Sequence, residues 1–490
     1  MIRKYYAKKD NTITNAFEEN LTTRGTCSNM GASDILEVFS IYAQASSGSS
    51  ELARILIEFD TSELSSDRTA GLVPASGSVS WYLKMYNAPH SQTVPSNFDL
   101  LVSAVSSSWE EGYGMDMEFY EDLTKDGIGS NWIQARQSAS ADGDGRWTTV
   151  GGDYHSTLSS SQTFSTGLEN LEIDVSDIVE KWLTGSNAWS NYGFGVRLTD
   201  TYETYFSAST GTNSGSIIHN LNGQQKSFFT KKFFGRDTEF HFQKPVLEAR
   251  WDSARRDDRG SFYASSSLAS AEDNLNTIYL YNRIRGRLRD IPVAPTSASL
   301  RSSATGANLY SAEVSRVSTG IYKADLYLDT TESTLYDVWY SGSTAYHTGT
   351  ISVKTFQSYG YNPEDTYVLS MPSLRKEYRK NQTHRLNLYV REKNWSPNIY
   401  TVAVQSSIPS YIIPSASFQL RRSIDDYVVV PYGTGSTNHT GLSYDVSGNY
   451  FDLDTTYLEA GYLYEIQYSF YDEENGWEEQ PYRFKFRVVD

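Results

Sequence analysis

Six carboxylates crowd into Trp109–Asp122 (WEEGYGMDMEFYED): Glu110, Glu111, Asp116, Glu118, Glu121 and Asp122. Two carboxylates at a suitable separation equip a glycosidase, one donating a proton and the other acting as base or nucleophile. Nothing in this stretch fixes such a separation, so it reads as a solvated loop. Ala141–Trp147 (ADGDGRW) offers Asp142 and Asp144 at the i, i+2 spacing that opens calcium loops. Asp153 stands at the position where an EF-hand carries its bidentate Glu. Asp-Gly pairs are equally ordinary turn formers, and a turn is the expectation. The seven histidines (His90, His155, His219, His241, His347, His384, His439) show neither H-x-H nor HExxH spacing, so they read as scattered rather than as zinc ligands. No phosphate-binding loop of the G-x-x-x-x-G-K-[ST] kind is present, and no G-x-S-x-G lies in a strand–turn–helix context. The sequence therefore assigns no catalytic residue, no metal and no cofactor.

Two other groups point to surfaces rather than reactions. Arg283, Arg285, Arg287 and Arg289 alternate with Ile284, Gly286 and Leu288. On one continuous strand that spacing sets four guanidinium groups in a row on one face. Such a row is either an edge guarded against misassembly or a docking stripe for an acidic neighbour, since arginine pairs bidentately with carboxylates. A second basic group, Arg375, Lys376, Arg379, Lys380 and Arg385, follows further on. Trp147, Trp189 and Trp395 are candidates to stack on sugar rings from loops, with core or interface packing as the other reading.

Composition narrows the classes. Against 42 Lys and Arg stand 59 Asp and Glu, a net charge of -17 over 490 residues. An acidic surface repels phosphate backbones, so nucleic acid is not expected as a partner. No apolar run is long enough to span a membrane. The basic start MIRKYYAKKDNTIT has no apolar region behind it, so a chain without a Sec signal is expected. A single cysteine, Cys27, forms no internal disulfide, and a reducing cytosol is the expected place of synthesis.

The elements that must position these residues are strands. Glu51–Asp60 (ELARILIEFD), Ser80–Tyr86, Asn191–Leu198 and Arg385–Arg391 alternate with period two between Ser/Gly/Asn-rich turns. One helix is predicted in LEIDVSDIVEKWLTG. Its Val175, Ile178, Val179, Trp182 and Leu183 share a face, Ser176 is a candidate cap, and Gly185 is a candidate terminator. After Trp251 the pattern changes to charged and then Ser/Ala-rich residues. The expected organisation is all-β: a jelly-roll-like sandwich over 1–252, a linker or contact segment over 253–276, an immunoglobulin-like sandwich over 277–355 and a C-terminal sandwich over 356–490.

The first 252 residues resemble the CBM96/DNRLRE-type β-sandwich. The matching pieces, in family order, are Asp10–Thr14, Asn29–Val38, Arg54–Leu64, Val79–Tyr86, Trp109–Gly114, Leu171–Trp182, Asn191–Leu198 and Phe233–Trp251. The N-terminal run RKYYAKKDNTITNAFEENLTTRGTCSNMGASDILEVFSIYAQASSGSSELARILIEFD is similar to structural proteins of T4-like marine bacteriophages of the cyanophage type. That resemblance implies a non-enzymatic, tail-associated virion component at the baseplate or neck, assembled in host cytoplasm. It further implies docking on other virion proteins and symmetric or homo-oligomeric assembly. The alternatives are capsid decoration and a glycan-binding module that contacts a host glycan during adsorption. A depolymerase would call for β-helical repeats and inward carboxylates, which the sequence does not display.

Overall fold

The computed structural model describes residues 1–90, 93–115, 129–137, 145–184, 188–207, 217–329, 332–354, 367–393, 398–404, 410–433, 435, 437–472 and 475–490. The chain is an all-β, multi-domain sandwich protein that divides into two compact units, Ile2–Trp251 and Asp252–Asp490.

In the first unit, β1 (Ile2–Tyr6), β2 (Lys9–Thr14), β3 (Ile35–Tyr42) and β4 (Ser50–Glu58) precede α1 (Thr61–Thr69). Then come β5 (Ser80–Met85), β6 (Phe98–Val105), β7 (Tyr154–Phe164), β8 (Leu171–Asp174), α2 (Ser176–Leu183), β9 (Phe194–Leu198), β10 (Phe228–Phe234) and β11 (Val246–Arg250). They make a four-stranded sheet, β1-β11-β5-β8, and a seven-stranded sheet, β10-β3-β4-β9-β6-β7, with β2 also pairing β4. The first and last strands pair antiparallel, Ile2 opposite Arg250 and Tyr6 opposite Val246. This ties the ends of the unit into one sheet.

Period two alone implies one wet face, but β4 is buried along almost its whole length. The cause is a second core. Ile13, Leu52 and Leu56 on one face of the sheet pack with Val105, Trp109, Trp132 and Trp147, so the chain after β6 roofs that face. Ile55 and Ile57, on the other face, are fully buried as well.

Helix α2 forms where the 3.6-residue pattern places it, with Ile178, Val179 and Trp182 buried. Trp182 lies in the core, its ring 4.7 Å from Phe194. Its start differs from expectation. Ser176 is the first helical residue, and its hydroxyl accepts from the Trp81 N–H at 2.8 Å. Asp174 accepts from the Ser176 N–H instead. Gly185 lies outside the described residues. Glu180 of α2 receives Arg68 of α1 and the Trp81 indole N–H, which locks the two helices over the four-stranded sheet.

The second unit begins with the stretch read as linker or contact segment, and it makes extensive contacts. Asp257 N–H donates to the Tyr444 carbonyl, the Tyr444 hydroxyl donates to Asp258 at 2.7 Å, and Phe262–Tyr263 pair in parallel with Val353–Lys354. Phe262 is fully buried among Ile278, Leu300, Leu326, Trp339 and Ile351, the core between a five-stranded and a three-stranded sheet. Arg259 reaches Asp337 through two bonds of 2.7 Å. Burial alone would raise the Asp337 pKa, but Arg259 and the Trp339 N–H hold it below the usual carboxylate value. Opposite Asp337 stands Gly349, where a Cβ would lie 2.5 Å from Asp337 Oδ1 and 2.8 Å from Arg259 Nη1. The C-terminal sandwich joins a four-stranded sheet to a six-stranded one, with Phe418 stacked on Phe451 at 4.1 Å between them.

Candidate functional site

The arginine row does not form one face. Arg283–Ile284 and Arg287–Leu288 are the two arms of a hairpin, with Arg283 opposite Leu288 and Ile284 opposite Arg287. Arg285 and Gly286 form its turn with φ of 51° and 78°, the left-handed pair that a two-residue hairpin loop demands. The chain reverses where a continuous strand was expected. Directly opposed residues share a face, so Arg283 and Arg287 project to opposite sides. A Cβ on Gly286 would meet nothing within 4 Å, which places the tip in open space.

The base of the hairpin is held firmly. Asn282 donates its N–H to the Gly320 carbonyl and its side-chain amide to the Arg289 carbonyl, and accepts the Arg289 N–H on its own carbonyl. Asp290 receives Arg316 and the Gly320 N–H. All four arginines are exposed, as is Ile284 at 51%. Among the described residues, none of their guanidiniums forms an ion pair. Arg54, Arg68, Arg250, Arg259, Arg316 and Arg422, by contrast, each hold a carboxylate.

A polar cleft of about 760 Å³ opens on the seven-stranded sheet, lined in part by Arg54, Tyr154, His155, Arg197, Asp200 and Glu203. Arg54 follows from the strand itself: it points the same way as Leu52 and Leu56, into the second core. There it lies 5.6 Å from the Trp132 ring and 5.8 Å from the Tyr154 ring. Burial opposes its charge, and Glu203 offsets that cost through bonds of 3.0 and 2.7 Å. With both oxygens engaged, Glu203 is not free to act as a base. Burial also pushes the Tyr154 phenol up. On the cleft wall, His155 stacks on the half-buried Trp189 with ring centres 3.8 Å apart and planes 2° apart. Burial lowers the His155 pKa. The Trp189 backbone is fixed by donation to the Lys181 carbonyl of α2.

The other sequence candidates separate. Trp147 is a core residue, 5% exposed, and its indole donates to the Asn131 carbonyl. Trp395, Asp116, Glu118, Glu121, Asp122, Asp142 and Asp144 lie outside the described residues. Glu110 accepts from the Gln137 N–H, and Glu111 from the Asp10 N–H and Arg236. Asp153 accepts the Thr148 and Thr149 N–H groups, the behaviour of a turn residue. Among the described residues, no group of three or more His, Cys, Asp or Glu side chains is arranged to hold a metal ion, and no helix is long and apolar enough to cross a membrane.

Sequence reading missed the Arg54–Glu203 pair, whose partners are 149 residues apart; an arginine inside the apolar run RILIEF was its one signal. It also missed a second hairpin. There Tyr471 stands opposite Trp477, their rings 5.6 Å apart in an edge-on arrangement. The two are 47% and 53% exposed. The run Tyr471–Glu479 (YDEENGWEE) carries five carboxylates and no cation.

No protein-family model matches this sequence, and no curated protein is significantly similar to it. Among solved structures, alpha-2-macroglobulin of Escherichia coli is similar over 44% of this chain and 18% of its own, at 11% identity and a TM-score of 0.15. The adhesin InvE of Yersinia pseudotuberculosis matches 43% of this chain and 54% of its own, at 12% identity and a TM-score of 0.16. The IG1+IG2 portion of DIP-gamma matches 44% of this chain and 90% of its own, at 12% identity and a TM-score of 0.13. The chain thus spans only part of the first two proteins, and likenesses this slight carry no functional argument.

Proposed function

We propose that this chain is a non-enzymatic structural component of a tailed-bacteriophage virion, tail-associated at the baseplate or neck, that acts through protein–protein docking surfaces. The observation that carries the reading is the N-terminal run quoted above, similar to structural proteins of T4-like marine phages. Those residues supply most of β1 and all of β2, β3 and β4, part of the framework of the first sandwich. The unpaired, rigidly based arginine hairpin supports the docking part, because exposed charge without a partner in its own chain is free for another.

The test is immunogold electron microscopy of purified particles, with antibody against residues 1–252. Label at the tail base or neck is the expected result, and label over the capsid would replace tail association with capsid decoration. Mass spectrometry that finds no trace of the chain in the particles would end the virion reading.

A second reading, binding of a host glycan during adsorption, is favoured by the stack of Trp189 on His155, a residue that lines the polar cleft. Sugar rings pack on such aromatic platforms while polar side chains take their hydroxyls. Under this reading Trp189→Ala loses glycan binding in calorimetry while the melting curve stays unchanged. Equal binding by both proteins would remove the cleft from consideration.

A further inference from the structure

We propose that the hairpin Arg283–Leu288 of one copy docks on the acidic, aromatic strand pair Tyr471–Asp472 and Gly476–Glu479 of a second copy, so that the chain assembles with itself. This rests on the docking function proposed above and names the partner: another copy of the same chain.

The first half of the contact is a basic finger with three guanidiniums, Arg283, Arg285 and Arg287, and a fourth, Arg289, at its base; none forms an ion pair among the described residues, on a chain whose net charge is -17. Its Ile284–Arg287 face combines an exposed apolar side chain with a cation. The second half carries the complement. Tyr471 and Trp477 are directly opposed and so share a face, and Glu479, two residues beyond Trp477, projects to that same face. Glu479 accepts from Gln467 at 3.0 Å and from the Tyr432 hydroxyl at 3.5 Å, neutral donors that leave its charge unpaired. A guanidinium stacks on an indole and pairs with a carboxylate at the same time, while Ile284 covers the exposed ring edges. Among the described residues, no hydrogen bond or ion pair joins the two hairpins within the chain, and Ile284, Tyr471 and Trp477 are exposed.

Charge also constrains the assembly. Two arginine fingers repel each other, as do two acidic hairpins. Each contact must therefore join unlike patches, made twice across a two-fold axis or once per pair in a ring or filament. A duplex nucleic acid would also satisfy the finger, but the acidity of the remainder of the molecule opposes it.

The experiment is sedimentation velocity on the full chain across concentration and salt. The wild type is expected to form dimers or larger oligomers that loosen as salt rises. Arg287→Glu and Glu479→Lys are each expected to weaken assembly about tenfold or more. The double variant Arg287→Glu/Glu479→Lys restores the charge pair with reversed sign and recovers assembly. Melting curves matching wild type show that each variant is folded, and Trp477→Ala supplies an uncharged alternative if Glu479→Lys is not. A wild type that stays monomeric, single variants that assemble normally, or a folded double variant that stays dissociated would each overturn the proposal. Wild type that binds duplex DNA without self-associating, with binding lost in Arg287→Glu, would also overturn it and assign the finger to phosphate. Particle mass spectrometry reads the virion function independently, so failure of the contact and failure of that function are separate results.

Discussion

Asp10 shows how far a single side chain can depart from what its sequence suggests. In DNTIT it reads as a polar strand residue, yet it is 1% exposed, with the Arg236 N–H donating to Oδ2 at 2.6 Å. Burial pushes its pKa up to about 7; Glu111 and Asp237 add to the rise, and Arg236 opposes it. A carboxyl whose folded pKa lies above its unfolded value contributes stability that is complete below the unfolded value and lost as pH climbs through the folded one. The wild type should thus lose stability between about pH 4 and pH 7. Asp10→Asn keeps the acceptor for Arg236 and removes the ionisation. Thermal melts should show the variant several degrees more stable at pH 8, with the gap closing toward pH 4; parallel curves would mean that Asp10 ionises normally. None of this was legible beforehand, because the neighbours that bury Asp10 lie about 100 and 226 residues away. The Arg283–Arg289 alternation was legible but misassigned. Arg285-Gly286 lacks the Asn or Asp that usually announces a two-residue hairpin, and Gly286 was the only clue to the reversal.

At the scale of elements, strands and the amphipathic helix announce themselves by period, since burial on one face imposes it. Two features escape that logic. The roof over the seven-stranded sheet has no period, because Trp109, Trp132 and Trp147 reach one core from irregular backbone. The stretch 253–276 contributes only Phe262, Tyr263 and Asn276 to strands, and a side chain supplements the ladder: Asn276 accepts the Tyr263 N–H and donates to the Tyr263 carbonyl, each at 2.9 Å. Arg259 secures the same stretch to Asp337, whose side chain is fully buried. Arg259→Met should destabilise this sandwich by about 3–5 kcal/mol at neutral pH, because it strands a buried carboxylate. The loss should shrink as acid protonates Asp337, and urea unfolding at two pH values checks both statements. Gly349→Ala should act in the same direction without touching either charged residue, since its Cβ would intrude on the pair.

Across the whole molecule, the all-β class and the change of unit near Trp251 were readable in composition and pattern, whereas the candidate surfaces were not. Surfaces depend on which charges find partners inside the chain, and that is decided by strand register rather than by local sequence. The register also bears on how the first unit comes apart. Strand β4 faces two cores at once: Leu52 and Leu56 belong to the roofed one, and Ile55 and Ile57 to the opposite face. Neither layer can open and leave that strand's apolar surface covered. Native-state hydrogen exchange should therefore show the β4 amides opening only with the whole unit, at the global unfolding free energy. The roof tryptophans should report the same transition by fluorescence, so the irregular chain around them melts as part of the sandwich rather than ahead of it.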